Sequence, residues 1–347
     1  MSTKAQRTEN FDLSWMDRFF HWVDKLPFHY FWFYLFIYLF VVLSQHLAIW
    51  LEGVLPMGEF APVILVQTVW FVFVSTFWQF MRRSGATALV NFRPALQLAQ
   101  REYERVRDEF LYLPSRTGWG FTIVGIVLLP IGLPLFDEYY GPLFSSAYTK
   151  YSTLILSLIV VGLNLGAFYS AIRMLAHIDK LYKRVKQINL FNLTPLYSLS
   201  LFTSKVGMVF IIFVLLNLIT PYVMGTSDPG IQNFYTLFKS IFALLIFIMP
   251  LLGIHRRLEE AKAQAVETNN DLIENGFAQM QSLVKAGKHE EVSKWRGSNS
   301  ALLEYRQELN RISTWPLDTA TLRSFVTALF VPLTVWSIQQ LVNRVIN

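Results

Sequence analysis

Hydroxyl side chains recur along the last apolar segment of the chain, which runs from about Phe325 to Val342. At 100° per residue they share an arc of roughly 140°, which an amide extends toward the C-terminus. The set comprises Ser324, Thr327, Thr334, Ser337 and Gln340. Two interpretations stay open: the hydroxyl groups hydrogen-bond across a close helix contact, or they line an aqueous path as pore-lining residues.

Acidic residues dominate three short loops of the chain. These loops join the first apolar segment to the second, the third to the fourth and the fifth to the sixth. The acidic residues are Glu52, Glu59, Asp137, Glu138 and Asp228. The only basic residue in these loops is Lys150. A negative field of this kind raises the local concentration of cations, so these residues could form an outer acidic vestibule. Ordinary solvated loop charge is the alternative.

The motifs of common enzymes and metal sites are missing. The sequence has no H-E-x-x-H, G-x-S-x-G or P-loop, no cysteine, and six histidines without metal-ligand spacing. We therefore predict no enzyme, no metal and no cofactor, although an intramembrane enzyme built from scattered residues stays open. Proton- and sodium-coupled transporters are disfavoured, because no Asp or Glu lies inside the apolar segments.

Composition and periodicity indicate an all-α, polytopic integral membrane protein. Of 347 residues, 53% are hydrophobic and only 16% are charged, too few charges for a soluble domain. Seven apolar segments of spanning length are expected near 28–50, 63–80, 119–136, 151–174, 202–222, 234–254 and 325–342. The second should stop at Met81–Arg83, with a new helix following Pro94.

The spans divide the chain into four parts. Residues 1–27 are an N-terminal helix, cytosolic or interfacial. A six-helix region, 28–254, carries cytosolic helices at 82–117 and 175–200, and Gly162 and Gly166 have the spacing of close helix packing. A cytosolic helical hairpin, 255–318, and a C-terminal membrane helix, 319–347, complete the chain.

The hairpin carries two seams of coiled-coil spacing. They consist of Ile273, Phe277, Met280 and Val284, and of Leu302, Tyr305, Leu309 and Ile312. The bend between the two helices should lie within 285–299. These seams predict homo-oligomerisation through the cytosolic helices.

Basic residues set the expected orientation. Four Lys and Arg precede the first segment, seven follow the second, five lie in 173–200 and nine in 255–318. Because basic flanks stay in the cytoplasm, we expect a multi-pass protein of the cell membrane with its N-terminus inside and its C-terminus outside. The net charge of +6 then reflects topology, and no nucleic-acid partner is predicted. If the last segment re-enters instead, six spans leave the C-terminus inside.

This arrangement resembles the insect odorant and gustatory receptor ion channels over the whole chain. The pattern of that family's last helix, Thr-Tyr, an apolar run and Gln-Phe, corresponds here to Thr334, Val335, Trp336 and 339–341. The aromatic residue is displaced by one position, and Leu341 replaces the closing Phe. The resemblance implies a tetrameric, ligand-gated cation channel, a small-molecule ligand and a last helix that lines the pore.

The sequence thus predicts an oligomeric, cation-conducting ion channel whose C-terminal helix lines the pore. Two alternatives need no such pore: a membrane sensor or scaffold that signals through its cytosolic helices, and a facilitator of small neutral solutes. In each case the lipid bilayer is the first partner.

Overall fold

The computed structural model describes residues 12–185, 188–224 and 229–316, together with nine positions between 323 and 338. For 129–139 and most of 221–250 it describes the backbone alone. The helices are α1 (Trp15–Val23), α2 (Tyr30–Leu51), α3 (Pro62–Leu96), α4 (Gln100–Leu111), α5 (Ser115–Tyr140), α6 (Ala147–Lys183), α7 (Thr194–Met224), α8 (Pro229–Lys285) and α9 (His289–Arg311), with a short 3₁₀ helix at Gly141–Ser145. The described part of the chain contains no β-strand, as expected for an all-α protein.

Four helices are long and apolar enough to cross a membrane. They are Tyr30–Leu51, Pro62–Leu96, Ala147–Lys183 and the Thr194–Thr220 part of α7. They confirm the coarser expectation of an all-helical, membrane-embedded protein. The third predicted segment falls in α5, where the side chains of 129–136 are outside the description, and the sixth falls in α8, where most side chains are outside it; the seventh is described only at separate positions.

The second predicted segment differs from α3 in where its helix ends. We expected an end at Met81–Arg83, but α3 continues without a break to Leu96. Arginine is a good helix former, so a charge marks the end of the apolar stretch and not of the helix. Pro94 lies in the last turn, and α3 ends at Gln97 with a left-handed φ of 48°.

The packed core joins a membrane-length section to a second helical layer. Long helices α3, α6 and α7 run through both parts of one continuous cluster of buried side chains. Beyond Arg82 the cluster includes α4, whose Phe110 packs edge-to-face with Phe202 of α7. In the same part of the cluster, Phe92 of α3 packs edge-to-face with Tyr182 of α6. We call α4 and the adjoining parts of α3, α6 and α7 the distal bundle.

The N-terminal helix packs into the protein along one face. Ser14 caps α1, and its hydroxyl accepts a hydrogen bond from the Asp17 N–H. Met16 and Phe20 are fully buried, and the Phe20 ring stacks on Trp78 of α3 with a centroid separation of 5.3 Å. The amphipathic pattern of this segment therefore has a protein-facing side as well as an exposed one.

Helices α8 and α9 form a hairpin whose turn occupies only 286–288, a shorter bend than the predicted 285–299. Only some residues of the predicted seams lie in the contact between the two helices. Phe277, Val284 and Tyr305 are exposed, whereas Ile273 and Leu309 are buried. Between the helices lie smaller polar residues, Asn269 and Asn299, because Gly276 lets the Asn299 side chain come close to the α8 backbone. The spacing predicted a contact at Phe277. The two helices instead approach closely at the neighbouring Gly276, against Asn299.

Candidate functional site: a polar seam and a charged cluster

Neutral polar side chains of α2, α3 and α6, together with the last residue of α5, meet within the membrane-length section. We call this group the polar seam. It comprises Gln45, His46, Gln67, Tyr140, Ser152, Thr153 and Ser157. At 1.5 Å per residue, Gln67 lies about 8 Å from the start of α3. The polar seam is therefore nearer to the loop that joins α2 to α3 than to the distal bundle.

Two glutamines connect the three helices. The Gln45 amide donates to Ser152 Oγ at 2.8 Å. The Gln67 amide donates to the Thr153 carbonyl at 3.1 Å and to Ser157 Oγ, and its Oε1 accepts from the Tyr140 hydroxyl. In an apolar environment such bonds favour one register of the helices, because an amide without partners is costly there.

The His46 ring is held in one neutral form by its backbone partners. Its Nε2 lies 3.0 Å from the Ala61 N–H, which can only donate, so Nε2 is the acceptor. Its Nδ1 lies 2.7 Å from the Val42 carbonyl, which can only accept, so Nδ1 carries the proton. The ring therefore fixes the α2–α3 loop to α2 and has no ring nitrogen left for a metal.

Two oxygen atoms at the polar seam are buried without a hydrogen-bond partner. They are Gln45 Oε1 and Thr149 Oγ1. An unpaired buried acceptor destabilises the protein by about 1–3 kcal/mol, so these atoms are suited to a hydrogen-bond donor that comes from elsewhere. The arrangement offers hydrogen bonding but no activated nucleophile.

A second group, the charged cluster, ties α1 to α3 at the start of the distal bundle. It comprises Asp17, Asp24, Arg82 and Arg83. The Arg82 guanidinium lies 3.1 Å from Asp24 Oδ2 and 3.9 Å from Asp17 Oδ1. Arg83 lies 2.7 Å from Asp24 Oδ1. Asp24 therefore bridges two consecutive arginines, and Arg82 reaches both carboxylates.

Asp17 is the most buried of these charges, with 1% of its surface exposed. Its Oδ2 accepts from the Ser14 hydroxyl and from the Leu113 N–H, each at 2.8 Å, and its Oδ1 accepts no hydrogen bond. Burial raises the pKa of this carboxyl above its ordinary value, and the Leu113 N–H, the Ser14 hydroxyl and Arg82 oppose the shift. Asp17 thus connects α1 with the α4–α5 junction as well as with α3.

The predicted pore-lining residues lie on one helical face. Ser324, Thr327, Thr334 and Ser337 are helical and exposed, and Gln340 is outside the described residues. Phe330, Val331 and Ile338 share this face and are also exposed, so the stripe mixes hydroxyl and large apolar groups.

The predicted acidic vestibule is described only in part. Glu52 and Glu59 are exposed in the α2–α3 segment, close in sequence to the His46 contact at Ala61. Asp137 and Glu138 lie in the last part of α5 with side chains outside the description, and Asp228 is outside the described residues.

The two predicted packing glycines have different neighbours. A Cβ at Gly166 would lie 2.7 Å from the Trp78 ring and 2.9 Å from Met16 Sδ, so α1 and α3 both press against α6 here. Near Gly162, a Cβ on Gly125 of α5 would lie 3.8 Å from the Gly162 nitrogen.

Sequence reasoning missed both the polar seam and the charged cluster. The available signals were the amides at Gln45 and Gln67 inside apolar segments, one acid inside the short N-terminal helix and a second acid directly after it. No group of three or more potential metal ligands occurs within the part of the chain that the structure describes. Comparisons with protein-family models, curated proteins and solved structures find no match to this chain.

Proposed function

We propose that the protein is an oligomeric, cation-conducting channel whose C-terminal helices line the conduction path. The observation that carries the proposal is the exposure of the last segment: eight of its nine described positions are exposed, and all nine are helical. At 100° per residue these nine positions cover roughly 160° of one face. A membrane helix that displays this face in one subunit has it available for other subunits and for water.

The hydroxyl chemistry of this face suits a cation. The Thr334 hydroxyl donates a hydrogen bond to the Phe330 carbonyl at 2.8 Å, which leaves the lone pairs of its oxygen available as acceptors. Oxygen lone pairs can replace part of the hydration shell of a cation. One helix cannot enclose a path, so the proposal requires several copies, and the family resemblance makes four the number to test.

The proposed topology has seven spans, with the N-terminus and the distal bundle in the cytoplasm. The basic residues of the even-numbered connections support this orientation, and it places the exposed Glu52 and Glu59 outside. Because the chain has no cysteine, single-cysteine variants test it directly. In intact cells an impermeant maleimide should label Glu59→Cys and should leave Arg105→Cys on α4 unlabelled.

Cation flux into liposomes tests conduction. Purified wild-type protein should pass cations, and Thr334→Trp and Ser337→Trp should each reduce flux at least tenfold by filling the path. Ile155→Trp is the matched control, because Ile155 of α6 is exposed on a membrane-length helix outside the last segment. Equal flux through wild type and both tryptophan variants of the last segment would contradict the proposal, as would a monomer by native mass spectrometry of conducting protein.

A second function, a membrane sensor or scaffold, is favoured by a groove of about 940 Å³ between the 188–191 segment and the α8–α9 hairpin. The 188–191 segment, α8 and Tyr305 of α9 line it, with Ala261 and Ala265 on the α8 wall. Phe191 and Tyr305 face each other there with ring centroids 5.7 Å apart. Replacing Ala265 by Trp should abolish capture of a cytosolic partner if the groove is a docking site, whereas cation flux should persist.

A further inference from the structure

Exposed aromatic side chains surround the junction between α1 and α2. We call them the aromatic collar: Trp22, Phe28, Phe31 and Trp32, with the partly buried Phe19 and Phe33 beneath them. Trp22 is 52% and Trp32 is 60% exposed. The rings of Trp22 and Phe33 meet edge-to-face at 5.6 Å, so α1 and the first turn of α2 present one continuous surface.

Helix lengths place the aromatic collar at one boundary of the hydrocarbon layer. At 1.5 Å per residue the 22 residues of α2 span about 33 Å, close to the thickness of about 30 Å of a bilayer core. The antiparallel stretch of α3 from Pro62 to Arg82 has a similar length. The Arg83 guanidinium lies over the Tyr30 ring at 4.6 Å, so the start of α2 and the arginines of α3 lie at one level.

The aromatic collar continues a surface that already faces outward along α2. Only 28% of the apolar window of α2 is buried, against 50–56% for the other three candidate spans. Phe36 and Phe40 of α2 are both exposed and stack on each other at 6.3 Å. An outermost membrane-length helix contacts lipid along such a face, and the aromatic collar extends this face by one turn and by α1.

We propose that the aromatic collar is a binding surface for the bilayer interface, with α1 lying in the membrane surface. Trp and Phe rings favour this zone, where the apolar ring meets lipid and the indole N–H meets the headgroup region. The surface binds lipid through its rings, so zwitterionic lipid is sufficient, although the exposed Lys25 follows Trp22 by three residues. Its nearby arginines are already paired, Arg18 with Asp12 at 2.6 Å and Arg83 with Asp24 at 2.7 Å.

The opposite face of α1 contacts the rest of the protein, so a movement of α1 in the bilayer would reach other helices. Met16 and Phe20 pack against α3 and α6, and Asp17 binds the Leu113 N–H and faces Arg82. A displacement of α1 by lipid therefore acts on α3 and on the α4–α5 junction. This interaction surface does not depend on whether the protein conducts ions.

Spin-label depth measurements test the proposal on the full-length protein. Trp22→Cys and Trp32→Cys would be labelled separately in phosphatidylcholine vesicles, and collisions with oxygen and with a water-soluble nickel chelate would be compared. Both labels should meet the nickel chelate several-fold less often than a label at Glu109→Cys, whose side chain is half-exposed on α4. A label at Ile155→Cys provides the lipid reference.

Nickel accessibility at both collar positions equal to that at Glu109→Cys would overturn the proposal. Protection that develops only after anionic phosphatidylglycerol is added would overturn it as well, in favour of electrostatic adsorption. If Trp22→Cys does not fold, Phe19→Cys takes its place on α1, because Phe28 and Trp32 belong to the first predicted span and do not report on α1.

Discussion

The polar seam and the charged cluster hold α3 to its neighbours at two depths, one with neutral amides and hydroxyls and the other with ion pairs. The polar seam lies in the membrane-length section, where Gln67 bridges α3 and α6. The charged cluster lies near the aromatic collar, where Arg82 pairs with Asp24 at 3.1 Å. Charges at membrane depth are costly and rare, whereas at the headgroup level water and lipid phosphate offset part of that cost. In the proposed topology, the depth in the bilayer would account for which chemistry joins the helices.

The largest effect is expected from removing the central cation of the charged cluster. Arg82→Leu leaves Asp17 buried beside an apolar group and should lower the free energy of unfolding by about 3 kcal/mol. Thermal unfolding in detergent would measure the loss. Arg83→Leu is the matched control, because Arg83 has a half-exposed side chain and should cost at most about 1 kcal/mol. Equal losses would show that burial of Asp17 does not determine the result.

The second prediction compares two glycines of α6, Gly166 and Gly162, by how closely their neighbours pack against them. Gly166→Ala would place a methyl group 2.7 Å from the Trp78 ring, so α1 or α3 must shift, at a cost of about 1–3 kcal/mol. Gly162→Ala would meet only Met16 Cε at 3.8 Å, an ordinary contact. It should be neutral or stabilising by up to about 1 kcal/mol, because alanine favours helix. The thermal midpoint of Gly166→Ala should therefore fall below that of the wild type, whereas the midpoint of Gly162→Ala should stay level or rise.

The elements of this fold could be predicted better than the contacts between them. The predicted span at 151–174 and the adjoining predicted helix at 175–200 have no gap between them, and the structure describes one long α6, Ala147–Lys183. The Asp17–Arg82 contact could not be predicted, because it joins residues 65 positions apart that separate helices bring together. Local periodicity reports which face of a helix is polar but not which polar side chain it meets.

The same limit applies to the polar seam. Gln45 and Gln67 can be recognised in the sequence as amides in apolar segments. Their hydrogen-bond partners cannot be, because these lie on α6, at Ser152, Thr153 and Ser157. In the hairpin, the heptad spacing predicted a contact at Phe277, whereas the close contact is between Gly276 and Asn299. Residues that permit close approach carry little apolar signal in a sequence.

The third prediction concerns the polar seam. Gln67→Leu removes the donor to Ser157 and the acceptor of the Tyr140 hydroxyl and should lower the free energy of unfolding by about 1 kcal/mol, the usual size of such bonds between membrane helices. Gln45→Leu is the comparison. It loses one strong bond, to Ser152, but also removes the unpaired Gln45 Oε1, so a smaller loss is expected. A larger loss for Gln45→Leu would mean that Oε1 has a partner in the membrane.

The smallest effect separates the two regions by their response to pH. Burial raises the pKa of Asp17 above its unfolded value of 3.8, so the folded protein binds this proton more tightly than the unfolded chain. The free energy of unfolding should therefore decrease as the pH rises from 3.8 to the raised pKa and should be level above it. In Asp17→Asn the remaining oxygen can still accept from Leu113, and this decrease should disappear. Gln67→Leu should keep the wild-type profile, because the polar seam holds its helices with neutral groups.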